Sequence, residues 1–355
     1  TCTIKLTTKD QSYEILLGNF SSMDSQRYVS IGDGNVYLVN NDPLDYFDVV
    51  LGDMIDHDEA PSFDKVTKIQ FAGANSYSIL YEEEGSSYND EDVYFVQKDG
   101  ESHPLDTARV NSSLRNVTNL DLSDYVTYKV TDEELKSYGL DTPELSVIID
   151  YTRENEEKEE STETFVLYMG LDPEEKKAAK EVEKEEDNGD EEKEVTAYVR
   201  IGESQIVYRI SSDDKDNLLA SSYDSLRHLQ VLFADFENIK EFDISLEDTN
   251  YTITTKKKGD ETTYYYQAKE LDIADFQNAL ESLSAENFTK EEPTRKKEIG
   301  LRVYLDKEKD LEVQIELYRY DGAYCLAVVD GEPVSFVQRS DVVDLIEAVY
   351  AFVLS

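Results

Sequence analysis

Three histidines and two cysteines are the side chains best suited to proton transfer, metal ligation or nucleophilic attack, and their spacing favours none of these. His57, His103 and His228 lie far apart. No His-x-x-x-His or Cys-x-x-Cys pair offers zinc two ligands on one turn, and no His has a Ser or Cys neighbour that marks a nucleophile pair. His57 follows a helical stretch in Asp56-His57-Asp58-Glu59, where a cation beside a helix C-terminus is favoured, so a capping role is expected. His103 falls in a Ser/Pro loop and His228 within a helix. Cys2 and Cys325 are too few for a disulfide framework. A bond between them would require the two ends of the chain to meet. Cys2 sits inside an alternating pattern, which reads as strand rather than as a lipid-attachment site.

Other catalytic patterns are equally sparse. Neither Gly-x-Gly-x-x-Gly nor Gly-x-x-x-x-Gly-Lys-Ser/Thr occurs, so no backbone loop is built to cradle phosphate. A Gly-x-Ser-x-Gly elbow is lacking too. Asp187-Asn188-Gly189-Asp190 comes nearest to a calcium loop but is out of register. With 79 Asp and Glu, some carboxylate pair will stand at glycosidase spacing by accident, so carboxylates identify nothing by count. No catalytic, cofactor-binding or metal-ligating residue is therefore assigned, and no cofactor is expected. Tyr264-Tyr265-Tyr266 must place aromatic rings on both faces of a strand. One face can be core; the other can meet a glycan or a protein, or simply reflect the strand-forming preference of Tyr. Five Asn-x-Ser/Thr sites, at Asn19, Asn111, Asn116, Asn250 and Asn287, matter only in a eukaryotic secretory setting.

The elements that carry these residues emerge from the patterning. The 355 residues hold 35 Lys and Arg against 79 Asp and Glu, a formal charge of −44. Such a body repels phosphate backbones and anionic lipid, which argues against a general nucleic-acid binder and against a basic-patch membrane protein. With 39% hydrophobic residues, 25 Tyr and 13 Phe, there is enough apolar surface for real cores. No stretch reaches the roughly 18 apolar residues of a membrane span. The opening Thr1-Cys2-Thr3-Ile4-Lys5-Leu6 reads as a strand, not a signal peptide. Together with the lack of an initiator Met, it suggests a trimmed or processed chain whose anchor lay upstream.

The sequence repeats itself. Tyr28-Val-Ser-Ile-Gly-Asp-Gly-Asn-Val-Tyr37 matches Tyr198-Val-Arg-Ile-Gly-Glu-Ser-Gln-Ile-Val-Tyr208, and Tyr324 to Val337 is a looser third copy with Asp330-Gly331 at the turn. Alternation, a short Gly/Asp/Ser turn and renewed alternation make a β-hairpin. A helical pattern follows each copy, after Asp42-Pro43, after Ser211-Ser212-Asp213 and after Ser340-Asp341. This is unit A. Between the copies lies unit B: Phe63-Asp-Lys-Val66-Thr-Lys-Ile69-Gln-Phe71 matches Phe236-Glu-Asn-Ile239-Lys-Glu-Phe242-Asp-Ile244, each followed by aromatic strands, a helix and a Gly-Leu pair. The order A–B–A–B–A predicts an α+β fold of tandem repeated modules, each a small antiparallel β-sheet packed with one helix. The expected modules are 1–60 (first A), 61–140 (first B), 141–235 (second A), 236–300 (second B) and 301–355 (third A).

Residues 172–194 hold 12 acids and 5 bases and interrupt the second A unit. They read as a solvated insertion with a frayed helix in part of it. Removing them leaves −37 on the other 332 residues, so the acidity belongs to the folded modules. Smaller acidic clusters stand at Glu82–Glu84, Asn89–Asp92 and Asp121–Asp124.

Three pieces in a fixed order carry a resemblance. They are Tyr138-Gly-Leu-Asp-Thr-Pro143 leading into a strand to Ile149, the strand Phe165–Gly170, and Tyr198–Ile210. In these the sequence resembles the bacterial family catalogued as domain of unknown function 4340, more weakly over 236–355, and over 1–137 through the internal repeat. Gly300-Leu301 keeps the Gly-Leu and lacks the Pro, as a degenerate copy would. The resemblance implies a cell-surface protein held by an N-terminal membrane segment or lipid, of a kind often encoded beside ABC-type transporters linked to gliding motility. It supplies no catalytic residue.

The expected function is therefore that of a non-enzymatic, extracytoplasmic binding or scaffold protein. Its partner would be a protein at the cell surface, such as a component of an ABC-type export system. Nucleic acid is not expected as a partner, and membrane contact would come only through an N-terminal anchor outside this sequence. The alternative is a cell-envelope glycan-binding protein or hydrolase with a Tyr-lined cleft and a carboxylate pair.

Overall fold

The structure is a computed structural model and describes residues 2–47, 49–73, 76–98, 100–154, 160–185, 194–259, 261–306 and 311–354. It is an α+β fold of antiparallel sheets and helices. The first sheet holds β1 (Cys2–Thr7), β2 (Ser12–Ser21), β3 (Gln26–Ser30) and β4 (Tyr37–Val39), in that order. Asp42 accepts a hydrogen bond from the Leu44 amide at 2.9 Å and so starts α1 (Leu44–Phe47). Where the pattern after Asp42-Pro43 predicts a helix, the described residues give this turn and a 3₁₀ turn at Leu51–Met54.

A second sheet follows. Its strands are β5 (Lys65–Gly73), β6 (Tyr77–Tyr81), β7 (Tyr94–Lys98), β8 (Glu101–Pro104), β9 (Tyr125–Thr127), β10 (Leu145–Glu154), β11 (Glu160–Leu171), β12 (Ala197–Ile201) and β13 (Val207–Ile210). Their order is β8-β7-β6-β5-β10-β11-β12-β13-β9. Its helices are α2 (Thr107–Thr118), α3 (Pro173–Glu185), α4 (Ser212–Leu219) and α5 (Tyr223–Leu226).

The third sheet has β14 (Ile239–Leu246), β15 (Thr249–Lys258), β16 (Glu261–Tyr266), β17 (Lys269–Leu271), β18 (Ala285–Phe288), β19 (Lys297–Leu305), β20 (Glu312–Arg319), β21 (Tyr324–Val329) and β22 (Glu332–Gln338). The order β17-β16-β15-β14-β19-β20-β21-β22-β18 is that of the second sheet moved nine strands along the chain. Helices α6 (Ala274–Ser282) and α7 (Arg339–Val353) belong to it.

The small separate sheets expected for B and the A that follows it are thus one sheet in both cases. β5 lies antiparallel to β10, with Ile69 opposite Ile149 and Phe71 opposite Val147. β14 lies the same way against β19, with Ile244 opposite Leu301. Each pairing closes two edges at once and satisfies two rows of backbone N–H and C=O groups. Strand neighbours this far apart leave no local mark, so unit-by-unit patterning treats each module as its own sheet. B also reaches round the far side of A, where β9 pairs with β13 and β18 with β22.

Helices line one face. Asp106 caps α2 by accepting from the amides of Ala108 (2.9 Å) and Arg109 (3.2 Å), and Val110, Leu114 and Val117 turn inward. They share a core with Ile69, Phe71, Val147, Ile149, Phe165 and Tyr208. In the third sheet Phe276 and Leu280 of α6 and Val342, Leu345 and Val349 of α7 do the same. Residues 130–140 cover the other face of the second sheet, where Val130, Leu135 and Leu140 surround Val207. There Gly139 (φ +66°) and Gly170 bring two backbones together: a Cβ on Gly139 would stand 2.3 Å from the Leu171 carbonyl oxygen, and one on Gly170 2.3 Å from that of Tyr138. The acidic insertion begins as α3, whose Asp172 caps the amides of Glu174 and Glu175 at 2.9 and 3.0 Å.

Candidate functional site

The first sheet is the least covered part of the described chain. Only Leu17 and Val29 are buried there. Among the described residues, sixteen of the nineteen large apolar side chains that stand exposed belong to residues 6–54. A cluster of this density on one unit exceeds the singly scattered apolar side chains normal at a protein surface. Its apolar face carries Ile4, Leu6, Tyr13, Ile15 and Tyr37, and its opposite face Leu16, Tyr28 and Leu38. Arg27 anchors the sheet from beneath, with Nε 2.5 Å and Nη2 2.7 Å from the Asp42 carboxylate and Nη1 2.7 Å from the Gly18 carbonyl. The paired charges hold Asp42 below the usual carboxylate range.

A second concavity, about 770 Å³, opens between residues 60–66, strands β6 and β7, and α2. Phe63, Tyr81 and Tyr94 form aromatic walls, with Lys65, Asn111 and Arg115 at the polar side; Asp64 is the one carboxylate in the lining. Tyr81 and Tyr94 meet edge to face at 5.9 Å, and the Lys65 ammonium lies 4.7 Å from the Tyr81 ring centre. Burial raises the Tyr94 phenol, which stays neutral and able to donate.

A polar cluster joins the second sheet to the third. The loop between β6 and β7 carries Ser87, Tyr88, Asp90 and Asp92. Asp92 is buried; it accepts from Ser87 Oγ at 2.5 Å and lies 3.0 Å from His228 Nε2. The His228 ring stacks on Phe233 at 4.1 Å, and Tyr88 leans on the same Phe at 5.4 Å. Tyr88 donates to Asp330 at 2.6 Å, and Asn238 donates to Asp90 at 2.8 Å. One carboxylate, Asp92, thus meets both the Ser87 hydroxyl and the His228 ring.

The residues singled out in the sequence scatter over the fold. His57 Nε2 stands 3.2 Å from the Gly52 carbonyl of the 3₁₀ turn, with its ring between Tyr125 and Tyr208. His103 is in β8 rather than in a loop, and His228 lies past the end of α5 rather than in a helix. Both cysteines are free: Cys325 is buried in β21, and Cys2 is half-buried in β1. Burial and Glu298 push the Cys325 thiol up to about 12. Tyr264 and Tyr266 pack on the third core, while Tyr265 turns the other way under Lys256 at 4.7 Å. Asp187-Asn188-Gly189-Asp190 lies outside the described residues. Among the described residues no group of three or more His, Cys, Asp or Glu is placed to hold a metal ion, and no helix is long and apolar enough to cross a membrane. Sequence reasoning missed the Asp92–His228 contact; the acidic cluster Asn89–Asp92 was visible, but its partner lies 136 positions away.

Antiparallel sheets backed by helices define an α+β protein. The chain belongs to the family described as Domain of unknown function (DUF4340), which it matches over residues 96–303, more than half its length. The match runs from β7 into β19 and so takes in the whole second A unit. No curated protein and no solved structure matches the chain.

Proposed function

We propose that the protein is a non-enzymatic, extracytoplasmic scaffold that binds a protein partner through the sheet β1–β4. It is anchored at the cell surface by an N-terminal segment and serves an ABC-type export system. One observation carries the reading: among the described residues the exposed apolar side chains concentrate on residues 6–54, on both faces of this sheet and in the segments around it, while the equivalent sheets are covered. The charge of −44 suits a body held off an anionic membrane and away from polyanions. We also read the two nine-stranded sheets, with their common strand order, as tandem copies of one B–A pair, and the first sheet as an A without its B.

The test is a photo-crosslinking amino acid at position 13, on the apolar face, against the same group at position 258, at the polar end of β15. In cells, discrete adducts are expected from position 13 alone, and Leu6→Lys with Tyr37→Lys should abolish them. No adduct at position 13 would overturn the reading.

The cavity beside α2 favours a second reading, a glycan-binding surface. Tyr81 and Tyr94 offer faces to sugar rings, and Arg115 with Lys65 offers cations to an acidic sugar. One lining carboxylate supports binding rather than hydrolysis by a carboxylate pair. Titration with a galacturonate oligosaccharide, on the native protein and on Arg115→Ala, checks it; equal or no binding by both removes it.

A further inference from the structure

The first sheet can be laid on the other two residue by residue. In β1 and β2, Cys2 faces Leu17, Ile4 faces Ile15 and Leu6 faces Tyr13. In β10 and β11, Leu145 faces Met169, Val147 faces Leu167 and Ile149 faces Phe165. In β19 and β20, Ile299 faces Leu317, Leu301 faces Ile315 and Val303 faces Val313. The next two strands continue the match, since Leu17–Val29–Tyr37 aligns with Met169–Val199–Tyr208.

Exposure then separates the copies. Leu6, Tyr13 and Tyr37 are 52%, 49% and 42% exposed; Ile149, Phe165 and Tyr208 in the same places are 0%, 6% and 0%. On the opposite face Val36 is 68% exposed, and its counterpart Val207 is 0%. Four things cover the second copy: β5 along β10, α2 over the apolar face, β9 along β13, and residues 130–140 over the other face. All four belong to the B unit. Among the described residues none of the four has a counterpart on the first sheet, so one missing kind of neighbour accounts for every bare edge and face.

We propose that β1–β4 is a docking platform for one B-type α+β unit not contained in residues 1–355, with its leading strand antiparallel to β1 in the place that β5 and β14 hold in the other sheets. The proposal rests on the protein-binding reading and names the partner's structure. The occupant's leading strand presents apolar side chains beside Ile4 and Leu6, as Phe71 and Ile69 stand beside Val147 and Ile149. It also carries an acid. Lys5 holds the place of Arg302 in β19, and Arg302 lies opposite Asp243 of β14. Opposite charges across a pair favour this register. Its helix covers Leu6, Tyr13 and Tyr37, and its last segment covers Val36 and Tyr28.

The test fuses a second copy of residues 236–298 directly before Cys2 of the full chain, the spacing at which that segment precedes Ile299. In the unfused chain the outward amides of β1 are expected to exchange with solvent almost unprotected, and a hydrophobic dye should bind. In the fusion those amides should slow about a hundredfold and dye binding should fall. Asp243→Lys in the added copy should forfeit about tenfold of that protection. Unslowed β1 amides with the dye still bound would overturn the B-type occupant and leave the open binding surface intact. Protected β1 amides in an unfused dimer would make the occupant a second copy of this chain and overturn the proposal. Protection with no dye bound in an unfused monomer would overturn both readings.

Discussion

His228 Nε2, in the segment that leads from α5 to the third sheet, lies 3.0 Å from the buried carboxylate of Asp92 in the β6–β7 loop, and its half-buried ring stacks on Phe233. His228→Ala strips the Asp92 carboxylate of that contact and removes the ring from Phe233. A cost of about 2–4 kcal/mol is expected, read as a lower urea midpoint. The native chain should unfold in one step and the variant in two, as the sheets separate; a single transition with an unchanged midpoint in the variant would refute a joining role.

Gly139 and Gly170 leave no room for a Cβ. Alanine at either should cost about 3 kcal/mol or more, because the obstacle is backbone on both sides. Gly322, with open space around it, should accept Ala with a change within about 0.5 kcal/mol. Thermal melts of the three variants make the comparison.

The two thiols should differ in reactivity. Cys325 is buried and its proton is held up to about 12, so a thiol reagent at pH 8 should leave it unmodified in the folded protein. One reactive thiol in the native chain and two in denaturant are expected; two in the native state would contradict the burial of β21.

Tyr208 accepts a hydrogen bond from the Asp58 amide at 2.7 Å, and burial pushes its phenol up to about 12. The folded state therefore keeps a proton that the unfolded chain gives up near pH 10. The stability this contributes is complete below about pH 10 and disappears as pH rises through about 12. Tyr208→Phe should cost about 1–2 kcal/mol at pH 7 by orphaning the Asp58 amide. The gap between variant and native protein should narrow above pH 10, which denaturation at pH 7 and pH 11 would show.

Tyr13→Lys alters an exposed ring, so stability should move by no more than about 0.5 kcal/mol while binding of a hydrophobic dye falls. A large loss of stability would mean that Tyr13 is covered in solution.

Much of this fold could be read in the sequence. The hairpin at Tyr198–Tyr208, the cap at Asp42 and the alternation of Leu145, Val147 and Ile149 are local signals, and local chemistry fixes them. The shared sheets could not be read, because Ile69 and Ile149 are partners across 80 positions and each alone marks only a strand. The spacing of Leu226 and Leu229 predicts a helix through His228; the chain leaves that path where its ring packs against Phe233 and Asp92. The open sheet was hidden for the opposite reason. Its pattern of inward residues is that of a covered sheet, and a sequence shows which side chains prefer burial, not whether anything arrives to bury them.

The pairing of β5 with β10 also sets a timetable. A ribosome finishes β5 at Gly73 and reaches the end of β10 at Glu154, about 80 residues later. At roughly 5–20 residues per second, the long edge of β5 waits about 4–16 s for its neighbour. A shorter wait, about 60 residues or roughly 3–12 s, separates the end of β14 at Leu246 from the end of β19 at Leu305, so synthesis passes twice through a half-built sheet that a holding factor would shelter. Among the described residues β1 pairs only with β2, so its other edge stands as β5 does during that wait.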